Sequence, residues 1–164
     1  ETIMVMVIAV ILAAVVAVRW SPFDTIKLNS ATRKVAGDIR YAQKVAISTQ
    51  ATYAAIAFNT NGYTIYDTYS SVISRSPGDP CSDSGGTFVV DFSQPRCSNY
   101  SGVEIEITSP TINPIAFSAL GTPVEGRIVE PTFGNPIGTQ TVTVKYKGTN
   151  KDIMVEAGTG RVSY

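Results

Sequence analysis

Apolar and polar positions divide the chain into three textures. Ile3 to Val18 form an apolar run without one polar side chain, headed by a single carboxylate, Glu1. Next, Leu28, Ala31, Val35, Ile39, Ala42 and Ala46 recur at spacings of three and four. This spacing predicts an amphipathic helix over Asn29 to Gln50, with one apolar stripe and with Arg33, Lys34, Arg40 and Lys44 on the wet side. After Gln50 the period shortens to two. "ATYAAIAF" and "YTIYDTY" read as a hairpin with Asn61-Gly62 in its turn. "TFVVDF", "VEIEI", "PIAFSALG", "TQTVTVKY" and "DIMVEA" each read as a strand. "KGTN" reads as the turn before the last of these, and "SRSPGDPCSDSGG" as loop.

The expected architecture is therefore α+β. Residues 1-20 form a transmembrane or filament-core helix, 21-50 an amphipathic helix, and 51-164 a β-rich globular head with an antiparallel sheet. Ser21 and Pro22 suit the start of a helix, since proline lacks only an N–H that the first turn leaves unused. A break or kink is expected near Trp20 to Pro22.

Length and composition narrow the class. At 164 residues, one domain is the default, and the part beyond the apolar run is long enough for one core. Lys+Arg and Asp+Glu both number 13, so no global field draws nucleic acid or anionic lipid. There is no histidine, which removes the commonest general base and transition-metal ligand. The two cysteines, Cys81 and Cys97, sit in a polar loop region. A disulfide between them closes about 15 residues and contributes about 3 kcal/mol in the chain-entropy description. It also implies that the head folds outside the cytoplasm.

The apolar run has three readings. A secretory signal peptide needs a basic start, and none precedes Ile3. A plain membrane anchor leaves Glu1 without a reason, because a carboxylate near lipid is costly unless it has a partner. As a helix the run spans about 24 Å, short of a hydrocarbon core of about 30 Å. The third reading comes from a resemblance. Glu1, the long apolar run and "ILAA" (Ile11 to Ala14) resemble the N-terminus of type IV pilins and type II secretion pseudopilins. "RKVAGDIRYAQKVAISTQ", through Arg33, Asp38, Arg40, Tyr41, Ala42 and Ala46, and the closing "TGRV" resemble the H-type pseudopilins and the minor pilins of natural transformation.

The resemblance implies a leader cut by a prepilin peptidase, about four apolar residues ahead of Glu1, and a methylated N-terminus. It implies that Glu1 pairs with the N-terminal amine of a neighbouring subunit as that subunit enters a filament. Partners are then identical or related pilin subunits, the bacterial inner membrane before assembly and an assembly ATPase, with a periplasmic or extracellular filament as the end state. Ala9, Ala13 and Ala17, four apart, allow close helix approach. Many relatives carry a glycine and a proline where this chain has Val10 and Val18, which argues against a melted segment before Val18.

No residue set points to catalysis, a metal or a cofactor. Asp79, Asp83 and Asp91 near Gly85 and Gly86 offer oxygens for calcium, but their spacing fits no EF-hand loop. Glu104 and Glu106 share one strand face, and their alternation with Val103, Ile105 and Ile107 marks them as outward polar positions. Asn99-Tyr100-Ser101 is a formal glycosylation sequon. Three functions compete: a polymerising pilus subunit, a pseudopilin of a secretion piston, and a DNA-binding minor pilin. Lys145, Lys147, Lys151 and Arg161 are the cations the last would use. The interleaved Asp152 and Glu156 argue against nucleic acid, which requires clustered phosphate contacts.

Overall fold

The computed structural model describes residues 2–18, 21–50, 54–67, 71–74, 81, 87–109, 112–126 and 135–164. The apolar run is helical: α1 covers Thr2–Val18. The longer α2, Ser21–Thr49, follows it, with Pro22 in its first turn. Of the break expected near Trp20 to Pro22, Trp20 lies outside the described residues, and Ser21 and Pro22 are helical. Among the described residues, no helix is long and apolar enough to cross a membrane.

The head contains two antiparallel sheets where the sequence suggests one. Five strands, β1 (Ala54–Asn59), β2 (Gly62–Tyr66), β3 (Val89–Asp91), β5 (Ile115–Phe117) and β6 (Pro123–Glu125), pair in the order β3-β2-β1-β5-β6. The other four are β4 (Glu104–Ser109), β7 (Gln140–Tyr146), β8 (Thr149–Val155) and β9 (Val162–Ser163), in the order β4-β7-β8-β9. The sheets meet where the Ile105 N–H donates to the Thr60 carbonyl at 2.8 Å. α2 lies across both, against β1 and β5 of one and β7, β8 and β9 of the other.

The stripe expected on α2 is the buried face. Leu28, Ala31, Val35, Ile39, Ala42 and Ala46 are each at most 2% exposed. Their small average size lets the helix axis approach the sheets, where Ile56, Ile65, Ile115, Val142, Val144 and Ile153 complete the core. Gly37 stands on the opposite side, and a Cβ there would meet nothing within 4 Å. A mid-helix glycine costs roughly 0.5–1 kcal/mol relative to alanine. Gly37→Ala is therefore expected to raise the unfolding free energy of the head by about that amount in a denaturant titration, with unchanged slope.

Three strand readings need correction. The β1–β2 turn is Thr60–Asn61, because Asn59 pairs with Gly62. The Asn61 N–H donates to Asn59 Oδ1 at 3.0 Å, an Asx-type turn. Gly62 is required for another reason: a Cβ there would collide with the Val90 backbone carbonyl of β3. "PIAFSALG" is not one strand. It ends at Phe117, turns through Gly121 at φ +79°, and returns as β6. The "TFVVDF" strand is shortened to Val89–Asp91, after which the chain enters a 3-10 helix, Pro95–Tyr100. That helix carries Cys97, bonded to Cys81. Both cysteines lie in the main core, at 0% and 1% exposure, rather than in an open polar loop.

Candidate functional site

Two surfaces carry more apolar or charged exposure than the head needs. The first is α1. Every described side chain on it, Ile3 to Leu12, is exposed, and Ile3, Met4 and Met6 exceed 70%. A run of apolar side chains at such exposure is a surface made to be covered. Ala9 is among these exposed positions. Ala13 and Ala17 lie within α1, but their side chains, like the whole of Glu1, fall outside the described residues.

The second surface is the outer face of α2. Its exposed residues are Phe23, Ile26, Ser30, Arg33, Gly37, Arg40, Lys44 and Ile47, at alternating spacings of three and four. Thr25 and the end of the helix, Ser48 and Thr49, are exposed as well. Phe23 and Ile26 are 73% and 60% exposed. The eight-residue row runs opposite the buried stripe and contains cations and no carboxylate.

Side chains flanking that row, and Arg40 within it, fasten α2 to the head. Asp38 accepts hydrogen bonds from Lys34 Nζ at 3.0 Å and from the hydroxyl of Tyr63, which is fully buried in β2. Lys34, expected on the wet side, is thereby drawn in, with a side chain only 12% exposed. Arg40 Nη2 donates to the Val162 carbonyl of β9 at 2.8 Å, and its guanidinium lies 5.5 Å from the Tyr164 ring centroid. Tyr41 stacks on Phe88 at 5.3 Å. Gln43 Nε2 donates to the Gly121 carbonyl at 2.9 Å. The segment "GDIRYAQ" thus reads as a row of fasteners, each reaching a different part of the head. Of this segment, Ile39 and Ala42 are legible as packing from periodicity.

The start of α2 is held separately. Lys147, in the β7–β8 turn at φ 47°, donates to Asp24 Oδ1 at 3.0 Å. Its hydrogen bond to Asp24, then the charge of the same carboxylate, hold the ammonium above its ordinary pKa. Lys27 Nζ sits 4.9 Å from the Tyr146 ring centroid and donates to Ser101 Oγ at 3.3 Å.

These contacts bear on the candidate nucleic-acid residues. Lys145 is paired with Glu106. Lys147 is paired with Asp24, and Arg161 with Glu156 at 2.6 Å. The Arg161 hydrogen bond is the first cause of the lowered Glu156 pKa and, reciprocally, of the raised Arg161 pKa. Lys151 is exposed at the start of β8. The four do not make one open cationic patch.

Of the candidate calcium ligands, Asp79 and Asp83 lie outside the described residues. Asp91 is committed to its own turn, accepting from the Ser93 N–H at 2.8 Å, Ser93 Oγ at 2.6 Å and Gln94 Nε2 at 3.0 Å. The Ser93 side-chain bond, then that from Gln94, hold its carboxyl below the ordinary value of 3.8. A depressed folded-state pKa stabilises above the unfolded value and is lost as pH falls through the folded one. Asp91→Ala is expected to cost at most about 1 kcal/mol at pH 7, since the group is partly solvated. The difference from wild type should shrink as pH is lowered below about 4 in an acid-unfolding series. Among the described residues, no group of three or more Cys, Asp or Glu side chains is placed to hold a metal ion. The sequon residue Asn99 is exposed on the 3-10 helix.

No protein-family model matches the chain, and no curated protein matches it. Among solved structures, the chain is similar to the type IV minor pilin FimU of Pseudomonas aeruginosa in two crystal forms. One alignment covers 85% of this chain and 89% of that one, with 17% identity and a TM-score of 0.49. The other covers 82% and 90%, with 17% identity and a TM-score of 0.48. At that distance no residue role transfers.

Proposed function

We propose that this chain is a pilin-like structural subunit that polymerises through α1 into a filament, with the β-rich head facing outward. The carrying observation is α1 itself: an apolar helix whose described side chains are all exposed. Bundling copies of α1 removes that surface from water. Burial of apolar area contributes about 25 cal/mol per Å², which makes helix bundling the main driving force. Ala9, Ala13 and Ala17 reduce the distance of closest approach between helices. Glu1, in such a bundle, requires a cationic partner, and the N-terminal amine of the next subunit supplies one. Before assembly the same helix holds the subunit in the inner membrane, from which an ATPase-driven machine stacks it.

The buried disulfide supports an oxidising, extracytoplasmic destination for the head. The pairing of Lys145, Lys147 and Arg161 with carboxylates favours this structural role over nucleic-acid capture. Electron microscopy of material sheared from cells tests the reading. Filaments labelled by an antibody to this head, absent when the chain is not made, are the expected result. A subunit of a periplasmic secretion piston would leave no surface filaments while the protein remains in the inner membrane.

A further inference from the structure

We infer that the outer face of α2 is a second subunit–subunit contact, and that it receives the acidic outer face of the β4-β7-β8 sheet of another copy of this chain. The inference rests on the filament reading above and adds which head surfaces meet.

Three observations carry it. The first is Gly37. It stands mid-helix, exposed, without positive φ and with open space where a Cβ would be, so nothing in the monomer requires it. Glycine at such a position weakens the helix. Its remaining use is to let another chain come close, between Arg33 and Arg40 on the same row.

The second is charge complementarity. The row carries Arg33, Arg40 and Lys44, and Arg33 and Lys44 have no acidic partner among the described residues. The opposing charge lies on the sheet. Glu104, Glu106 and Asp152 are exposed on one face, where Glu106, Thr143 and Asp152 align in one cross-strand row. Lys145 is the one cation among the described residues of that face and pairs with Glu106, so Glu104 and Asp152 carry its net negative charge. Their neighbours Ile105 and Ile153 are buried on the α2 side, so the carboxylates point away from α2.

The third is geometry. Because the cationic row and the acidic face lie on opposite sides of the head, one copy cannot join them within itself. A contact between unlike surfaces repeats without closing when the rotation does not close a ring, and gives a helical filament. Phe23 and Ile26 open the row with exposed apolar side chains.

Charge reversal and exchange in the full chain test this. Arg33→Glu with Lys44→Glu is expected to reduce sheared filament at least tenfold. Glu104→Lys with Glu106→Lys is expected to do the same, and the four changes together to restore most of the yield. Gly37→Leu is expected to abolish filaments without lowering the thermal stability of the head, which a role inside the monomer would lower. Filament yield unchanged by either reversal, or no recovery on exchange in proteins that unfold at the wild-type temperature, overturns the α2 contact and leaves α1-driven assembly standing. Absence of filaments from the wild-type chain overturns both.

Discussion

Replacing Glu1 by Ala or Gln is expected to eliminate filaments while leaving the head as stable as in wild type. The two halves of this expectation come from different parts of the molecule. The described side chains of α1 are all exposed, so a change at its tip is expected to leave the head's packing intact. Assembly is different. Once α1 is surrounded by copies of itself, the first residue lies in apolar surroundings where a charge is tolerated only when paired. Removing one partner of such a pair costs about 3–5 kcal/mol, because the other charge stays buried and alone. Every 1.4 kcal/mol is about tenfold in an equilibrium constant. The filament yield should therefore fall by at least about two orders of magnitude. Gln preserves the shape of the side chain and removes its charge, so equal loss with Gln and Ala identifies charge as the cause. Quantitative microscopy of sheared material, beside thermal unfolding of the same proteins, checks both halves. Filaments that persist with either variant would sink the pairing.

The second large effect concerns the bridge. Cys81→Ala with Cys97→Ala is expected to lower the unfolding free energy of the head by about 3 kcal/mol. In the chain-entropy description this is the freedom returned to the unfolded chain when a loop of about 15 residues is opened. Lost packing adds to it. Both cysteines are buried in the main core, so their loss leaves space there that alanine does not fill. Denaturant titration of the double variant measures it. A change under about 1 kcal/mol would mean that the loop carries its own order and that the bridge adds little.

How much of this was legible beforehand follows from the physics of each element. The buried stripe of α2 was readable residue by residue, because helical spacing forces those positions to one side. The alternating strands β4, β7 and β8 were readable for the same reason at period two. The division into two sheets was not. It depends on distant pairings, β1 with β5 and β4 with β7, and no local pattern records them. Local turn chemistry places Gly62 in the turn, whereas its reason is the close approach of β3, a non-local fact. β6 was missed because Pro123-Val124-Glu125 is too short to show a period. The polar neighbours of Cys81 and Cys97 give the pattern of a loop, but their burial is set by the core in which they pack. At the candidate assembly surfaces, α1 was evident at once. The outer face of α2 follows from the same helical spacing, through Arg33, Arg40 and Lys44, but that spacing gives no reason for Gly37 among them. Asp38 is a further case. Its role as the anchor for Tyr63 and Lys34 requires knowing which strand lies beneath it.

The central claim is that α1 is the polymerising element. A helical reconstruction of filaments sheared from cells making the wild-type chain tests it most directly. The account predicts α1 helices bundled along the filament axis, with Ile3 to Leu12 covered by neighbouring copies and the heads outside. Filaments built from head contacts alone, with α1 left exposed at the surface, would contradict it.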